Sequence, residues 1–100
     1  MPFQVDANTL GMDEEFANSL EVYPNPATNL VNVSLELQNQ SNVQIDIYNV
    51  IGKLVSHEVY GNNSPGVIQE QINVEDWTPG IYEIRVTMDQ RTTSKKIVIR

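Results

Sequence analysis

The stretch Val31-Asn32-Val33-Ser34-Leu35-Glu36-Leu37 alternates apolar and polar residues without a break. Successive side chains of an extended chain point to opposite faces, so a period of two reads as a strand with one buried and one wet face. Val43, Ile45 and Ile47 repeat the pattern against Gln44, Asp46 and Tyr48. Working outward, Lys53 to Tyr60 reads as a strand with Val55 and Val59 as its inward pair, and Val67 to Val74 as one with Ile68, Ile72 and Val74 on one face. Tyr82, Ile84, Val86 and Met88 alternate with Glu83, Arg85 and Thr87, Ile97 and Ile99 share a face of a final strand, and Glu21 to Tyr23 suits a short edge strand. That makes about seven.

The punctuation between these runs predicts tight antiparallel connections. In Asn49-Val50-Ile51-Gly52 the glycine suits a positive φ, with a bulge where Lys53 begins the return strand. Asp89 and Gln90 leave two residues between Met88 and Arg91, the spacing of a hairpin, and Gly61 to Gly66 forms a longer loop. Pro24 and Pro26 carry no amide donor and bias the residues before them to extended conformations, so the edge strand ends there and the chain changes direction, with Asn29 closing the corner through its side chain. Seven short strands without intervening helices predict an all-β fold, an immunoglobulin-like antiparallel β-sandwich, with a small barrel as the alternative. Residues 1–20 show no sustained alternation and read as a linker or the tail of a preceding domain. Within them Met12 to Leu20 can form one or two helical turns, since Phe16 and Leu20 lie four apart.

The chain of 100 residues has material for one core. Its net charge of −7 argues against nucleic acid, because phosphate neutralisation requires a basic face. The charge is divided. Residues 1–84 carry twelve acids against Lys53 alone, whereas residues 85–100 carry Arg85, Arg91, Lys95, Lys96 and Arg100 against Asp89. With no cysteine and one histidine, the usual zinc sites are excluded, and the acids lack the spacing of a calcium loop, so no metal or cofactor is expected. His57 stands on a strand between Ser56 and Glu58 with no nucleophile elbow nearby, and is read as a structural residue, so no catalytic residue is assigned. No apolar run approaches the roughly 20 residues of a membrane-spanning helix. The amino terminus lacks the pattern of a secretory leader, so a signal peptide, if the protein is exported, is expected elsewhere. Asn32, Asn39 and Asn62 begin Asn-x-Ser triplets, relevant only in a eukaryotic secretory pathway.

Three motifs in order carry a resemblance: Tyr23-Pro24-Asn25-Pro26-Ala27-Thr28-Asn29; Ile47-Tyr48-Asn49-Val50-Ile51-Gly52-Lys53; and Pro79-Gly80-Ile81-Tyr82 followed by Lys95-Lys96-Ile97-Val98-Ile99-Arg100. Together they closely resemble the type A C-terminal sorting domain of the type IX (Por) secretion system, over about residues 21–100. Trp77 is a departure, since leucine is commoner there. The resemblance implies a non-enzymatic address on exported proteases, glycosidases and adhesins of Bacteroidetes, carried to the periplasm by a signal peptide. It implies recognition by the outer-membrane translocon and, usually, removal by a sortase-like peptidase cutting in the linker before Tyr23, with the cargo secreted or fixed to the outer cell surface.

Under that resemblance Pro24, Asn25, Pro26, Gly52 and Gly80 are expected to shape the backbone, with Tyr23, Tyr48, Asn49, Lys53 and Tyr82 completing the motifs. Arg85, Lys95, Lys96 and Arg100 are the candidates for translocon recognition, by charge or by strand addition. The alternative for the lysines is protection of an edge strand from aggregation. A monomer without membrane insertion is expected. A second reading, a carbohydrate-binding or spacer module, rests on Trp77 and the four tyrosines, whose rings can stack on sugars.

Overall fold

A computed structural model describes residues 19–100, and the helical turns expected within Met12 to Leu20 lie almost wholly outside the described residues. Seven strands follow in order: β1 (Glu21–Tyr23), β2 (Leu30–Leu37), β3 (Ser41–Tyr48), β4 (Leu54–Asn63), β5 (Gly66–Asn73), β6 (Gly80–Met88) and β7 (Arg91–Ile99). They form a three-stranded sheet in the order β1-β2-β5 and a four-stranded sheet in the order β4-β3-β6-β7, with antiparallel pairing throughout. Two separate sheets make a sandwich rather than a closed barrel.

The core lies between the sheets and is built from the alternating positions. Val31, Val33, Leu35 and Leu37 of β2 meet Val43, Ile45 and Ile47 of β3, Tyr82, Ile84, Val86 and Met88 of β6, and Ile97 and Ile99 of β7, all buried. Val74 completes this set, with Ile68, Ile72 and Trp77 packed against it. Leu20, assigned from sequence to the linker, has no exposed surface and belongs to the core, so packing begins at least one residue before β1.

β4 departs from the expectation. Val55 and Val59 were expected inward, but they are 39% and 60% exposed. The ladder passes from Ile47↔Ser56 to Tyr48↔Leu54, leaving Val55 as the extra residue of a β-bulge, and downstream Ile45 lies opposite Glu58 and Val43 opposite Tyr60. The bulge therefore turns Ser56, Glu58 and Tyr60 toward the other sheet and Val59 to solvent, because a register step of one residue exchanges the faces. The polar inner side is tolerated because β4 is an edge strand, beside β5, the edge of the other sheet.

The segment after β1 crosses from one sheet to the other. Ala27 N–H donates to the Val98 carbonyl (2.8 Å) and Arg100 N–H donates to the Ala27 carbonyl (2.8 Å), a parallel bridge along the outer edge of β7. Prolines on both sides of Asn25 supply no N–H, and the Asn25 side-chain amide acts as a peptide surrogate. Its Oδ1 accepts from Val98 N–H (3.0 Å) and its Nδ2 donates to the Lys96 carbonyl (3.4 Å). The corner that follows is closed by the backbone carbonyl of Asn29, which accepts from Val74 N–H (2.8 Å), rather than by its side chain as expected.

Two outcomes check this arrangement. Asn25→Ala should lower stability by about 1 kcal/mol, with faster hydrogen exchange at the Val98 amide, because one side chain satisfies two groups of the β7 edge. Leu20→Ala should cost about 3 kcal/mol in denaturant unfolding, as expected for a fully buried leucine; a loss near zero would place Leu20 outside the core.

Candidate recognition surface

Register fixes which residues share the outer face of the four-stranded sheet. Tyr48, Glu83 and Lys96 lie side by side across β3, β6 and β7. One row along, His57, Asp46, Arg85 and Ser94 lie side by side across all four strands. Arg85 leans diagonally, its guanidinium 4.7 Å from the centre of the Tyr48 ring and its Nη2 3.2 Å from Glu83 Oε1. Both charged side chains are substantially exposed, so this contact orients Arg85 more than it stabilises the fold.

At the end of these rows the β3–β4 connection stands up beside the sheet. Asn49 organises it: its Oδ1 accepts from Ile51 N–H (3.1 Å) and Lys53 N–H (2.9 Å), while its N–H donates to the Lys53 carbonyl (2.9 Å). Gly52 has φ +84°, a conformation that costs an L-residue with a side chain roughly 1–2 kcal/mol. The turn so held presents Val50 and Ile51 at its tip, 80% and 81% exposed, and Lys53 at its foot.

An open hollow of about 530 Å³ lies between this turn and the sheet, and its walls include Tyr48, Asn49, Gly52, Tyr82, Arg85 and Lys96. Two of the three sequence motifs and two of the four recognition candidates thus meet in one place. A neighbouring hollow of about 430 Å³ shares Asn49, Val50, Ile81 and Tyr82 and is bounded by Trp77. Tyr82 is buried, its hydroxyl donating to the Thr78 carbonyl, and its ring lies 5.2 Å from that of Trp77. Trp77 therefore packs, partly buried, against this end of the core, at the border of the hollow.

The other candidates separate. Lys95 lies opposite the inward Ile84, and so projects to the face opposite Lys96. The Arg100 backbone is fixed by Ala27. Tyr23 rests outside the three-stranded sheet, where its hydroxyl accepts from Gln69 Nε2 (2.7 Å), although its neighbours Asn25 and Ala27 tie down β7 beside Lys96. Gly80 begins β6 opposite Ile99.

Two polar groups were not visible in sequence. Asp46, read as an outward polar residue, is buried on that outer face between His57 Nδ1 on Oδ1 and Gln44 Nε2 on Oδ2 (2.7 Å). Gln44 lies two residues away, a spacing legible in sequence, but His57 is found only through register. Ser94 completes the row three strands away from His57, about 14 Å at ordinary strand spacing, too far for a hydrolase triad. On the inner side, burial first, then the Glu70 and Glu58 carboxylates, push the Tyr60 phenol up from its ordinary value of 10.0. Among the described residues no cluster of His, Cys, Asp or Glu can hold a metal ion, and no helix is long and apolar enough to cross a membrane.

Residues 21–100 match the family described as the secretion system C-terminal sorting domain. The chain belongs to this family. The match spans all seven strands, and the type IX resemblance carried by the three motifs stands. A protein bearing this sorting domain is exported, to the cell surface or beyond it. The chain is also 31% identical over 98 residues to the ulvan lyase NLR42 of Nonlabens ulvanivorans; the aligned part is 97% of this chain and 17% of that protein. The chain therefore spans about a sixth of the length of this relative.

The contact between Tyr60 and Glu70 offers a direct check. Because the folded protein holds the Tyr60 proton more tightly, the stability linked to it should be present below pH 10 and be lost as pH rises above that value. Glu70→Gln should bring the Tyr60 ionisation down part of the way, since burial remains, as read by phenolate absorbance in an alkaline titration; an unchanged titration would deny the contact.

Proposed function

We propose that residues 21–100 are the address by which the type IX outer-membrane translocon recognises an exported cargo, and that a sortase-like peptidase then removes them. The observation that carries this reading is the family match, joined to the gathering of the motif residues Tyr48, Asn49, Gly52 and Tyr82 with Arg85 and Lys96 around one hollow. A compact sandwich with no deep cleft suits a surface read by a protein. Arg85 and Lys96 are the contacts proposed for the outer face. Lys95 and Arg100 act from the inner face and the end of the same strand.

The cut falls before Leu20 in this reading, within the linker before Tyr23 expected from sequence. A peptidase needs an extended substrate, and Leu20 is held in the core. Cargo would then leave with the upstream segment, released or attached to the cell surface, and the domain would act as a monomer needing no cofactor.

Placing the 100-residue chain behind a reporter with a signal peptide, in a type IX-competent bacterium, tests the reading. The reporter is expected outside the cell, and retention in the periplasm overturns it. In the same assay Lys95→Ala with Lys96→Ala should block export while leaving the thermal unfolding of the purified chain nearly unchanged, since exposed charges contribute little to stability. Normal secretion of that double variant would remove the basic strand from the mechanism.

A further inference from the structure

The outer edge of β7 is closed along only part of its length. A strand residue directs its N–H and C=O to one side and its neighbour directs them to the other. Val98 faces the Asn25–Ala27 segment with both groups, so Lys96, Ser94 and Thr92, each two residues further back in an unbroken ladder, face the same side. Asn25 takes the Lys96 carbonyl. Beyond it the covering segment has ended, and among the described residues β7 has no second neighbouring strand. The N–H of Lys96 and both backbone groups of Ser94 and Thr92 are left on an open edge.

We infer that this open half-edge, Thr92 to Lys96, is a strand-addition site for an extended acidic segment of the protein that recognises the domain. The inference rests on the sorting reading and specifies how the partner is held. Charge selects the occupant: Lys96 projects on one face of the strand and Lys95 on the other, both exposed and, among the described residues, with no carboxylate in ion-pair contact with either, so a paired strand with acids alternating to both faces meets a cation on each side. The other open edges lack this character. β5 carries Glu70 and no base, and β4 carries Glu58 with His57 already held by Asp46. The Asn25–Ala27 segment fixes the register, because an incoming strand must stop where it begins.

Ser94→Pro tests the inference. Proline at this position removes an N–H that points away from β6 and leaves the β6–β7 ladder intact, the placement that edge strands tolerate. In the reporter assay export should fall by about tenfold, from the lost backbone bond and the obstruction to pairing, while the purified variant unfolds at nearly the wild-type temperature. Full export of a folded Ser94→Pro chain overturns the inference. If the wild-type fusion is itself retained, the sorting reading fails instead. Block by Lys95→Ala with Lys96→Ala but not by Ser94→Pro would show side chains read without strand pairing, which also overturns it. Should Ser94→Pro fail to fold, Thr92→Pro replaces it, and hydrogen exchange on the wild-type chain decides independently: the amides of Thr92, Ser94 and Lys96 should exchange freely while those of Val98 and Arg100 are protected. Protection of the first three in the isolated chain would mean the edge is already closed, and the inference would fall.

Discussion

Two open sheets leave four edges, and the unpaired backbone along those edges is the constraint around which this domain is arranged. β2, β3 and β6 have neighbours on both sides, so their ladders are complete and their alternating side chains build the core. β1, β5, β4 and β7 each have one open side. Exposed edges invite pairing with any extended chain, and folded proteins blunt them with bulges, short strands, charge or a covering segment. All four devices occur here. β1 has three residues, β4 is bulged at both ends of its pairing with β3, β7 carries lysines, and the Asn25–Ala27 segment covers the rest of β7. That cover is the least ordinary. It depends on an asparagine side-chain amide serving as a peptide group beside two prolines that have no N–H to donate.

The strands that form the core were legible because each carries an apolar residue at every second position, and a one-residue error would bury a charge. For Val31 to Leu37, Val43 to Ile47 and Tyr82 to Met88 no other parity is tenable. Leu54, Val55, Val59 and Tyr60 are apolar on both parities, so in β4 the pattern does not choose and the bulge opposite Ile47 does. Leu20 was missed for a related reason: a single buried residue ahead of a three-residue strand has no period. Asp46 and His57 are eleven residues apart and meet only through the register of β3 on β4.

The motifs of the candidate surface were recognisable one at a time, yet nothing in their spacing said that Tyr48, Gly52, Tyr82 and Lys96 would surround one hollow. That follows from strand order, since β3, β6 and β7 are adjacent although β4 and β5 intervene in sequence. The division of charge gains definition in the same way. The basic excess of residues 85–100 is not one patch: Arg85 and Lys96 belong to the outer face, Lys95 to the inner one. What they have in common is the strand pair that carries them.

Asn25 is joined to Lys96 and Val98, residues 71 and 73 positions further along the chain. Closure of this edge therefore waits on a late-synthesised part of the domain, and a chain interrupted before residue 96 lacks the end of β7 and with it the surface on which the Asn25–Ala27 segment lies. Contacts this distant in sequence are slow to form because a long loop must close first. The same bonds that cover a sheet edge therefore also make closure of the domain depend on residues 96–100 being present.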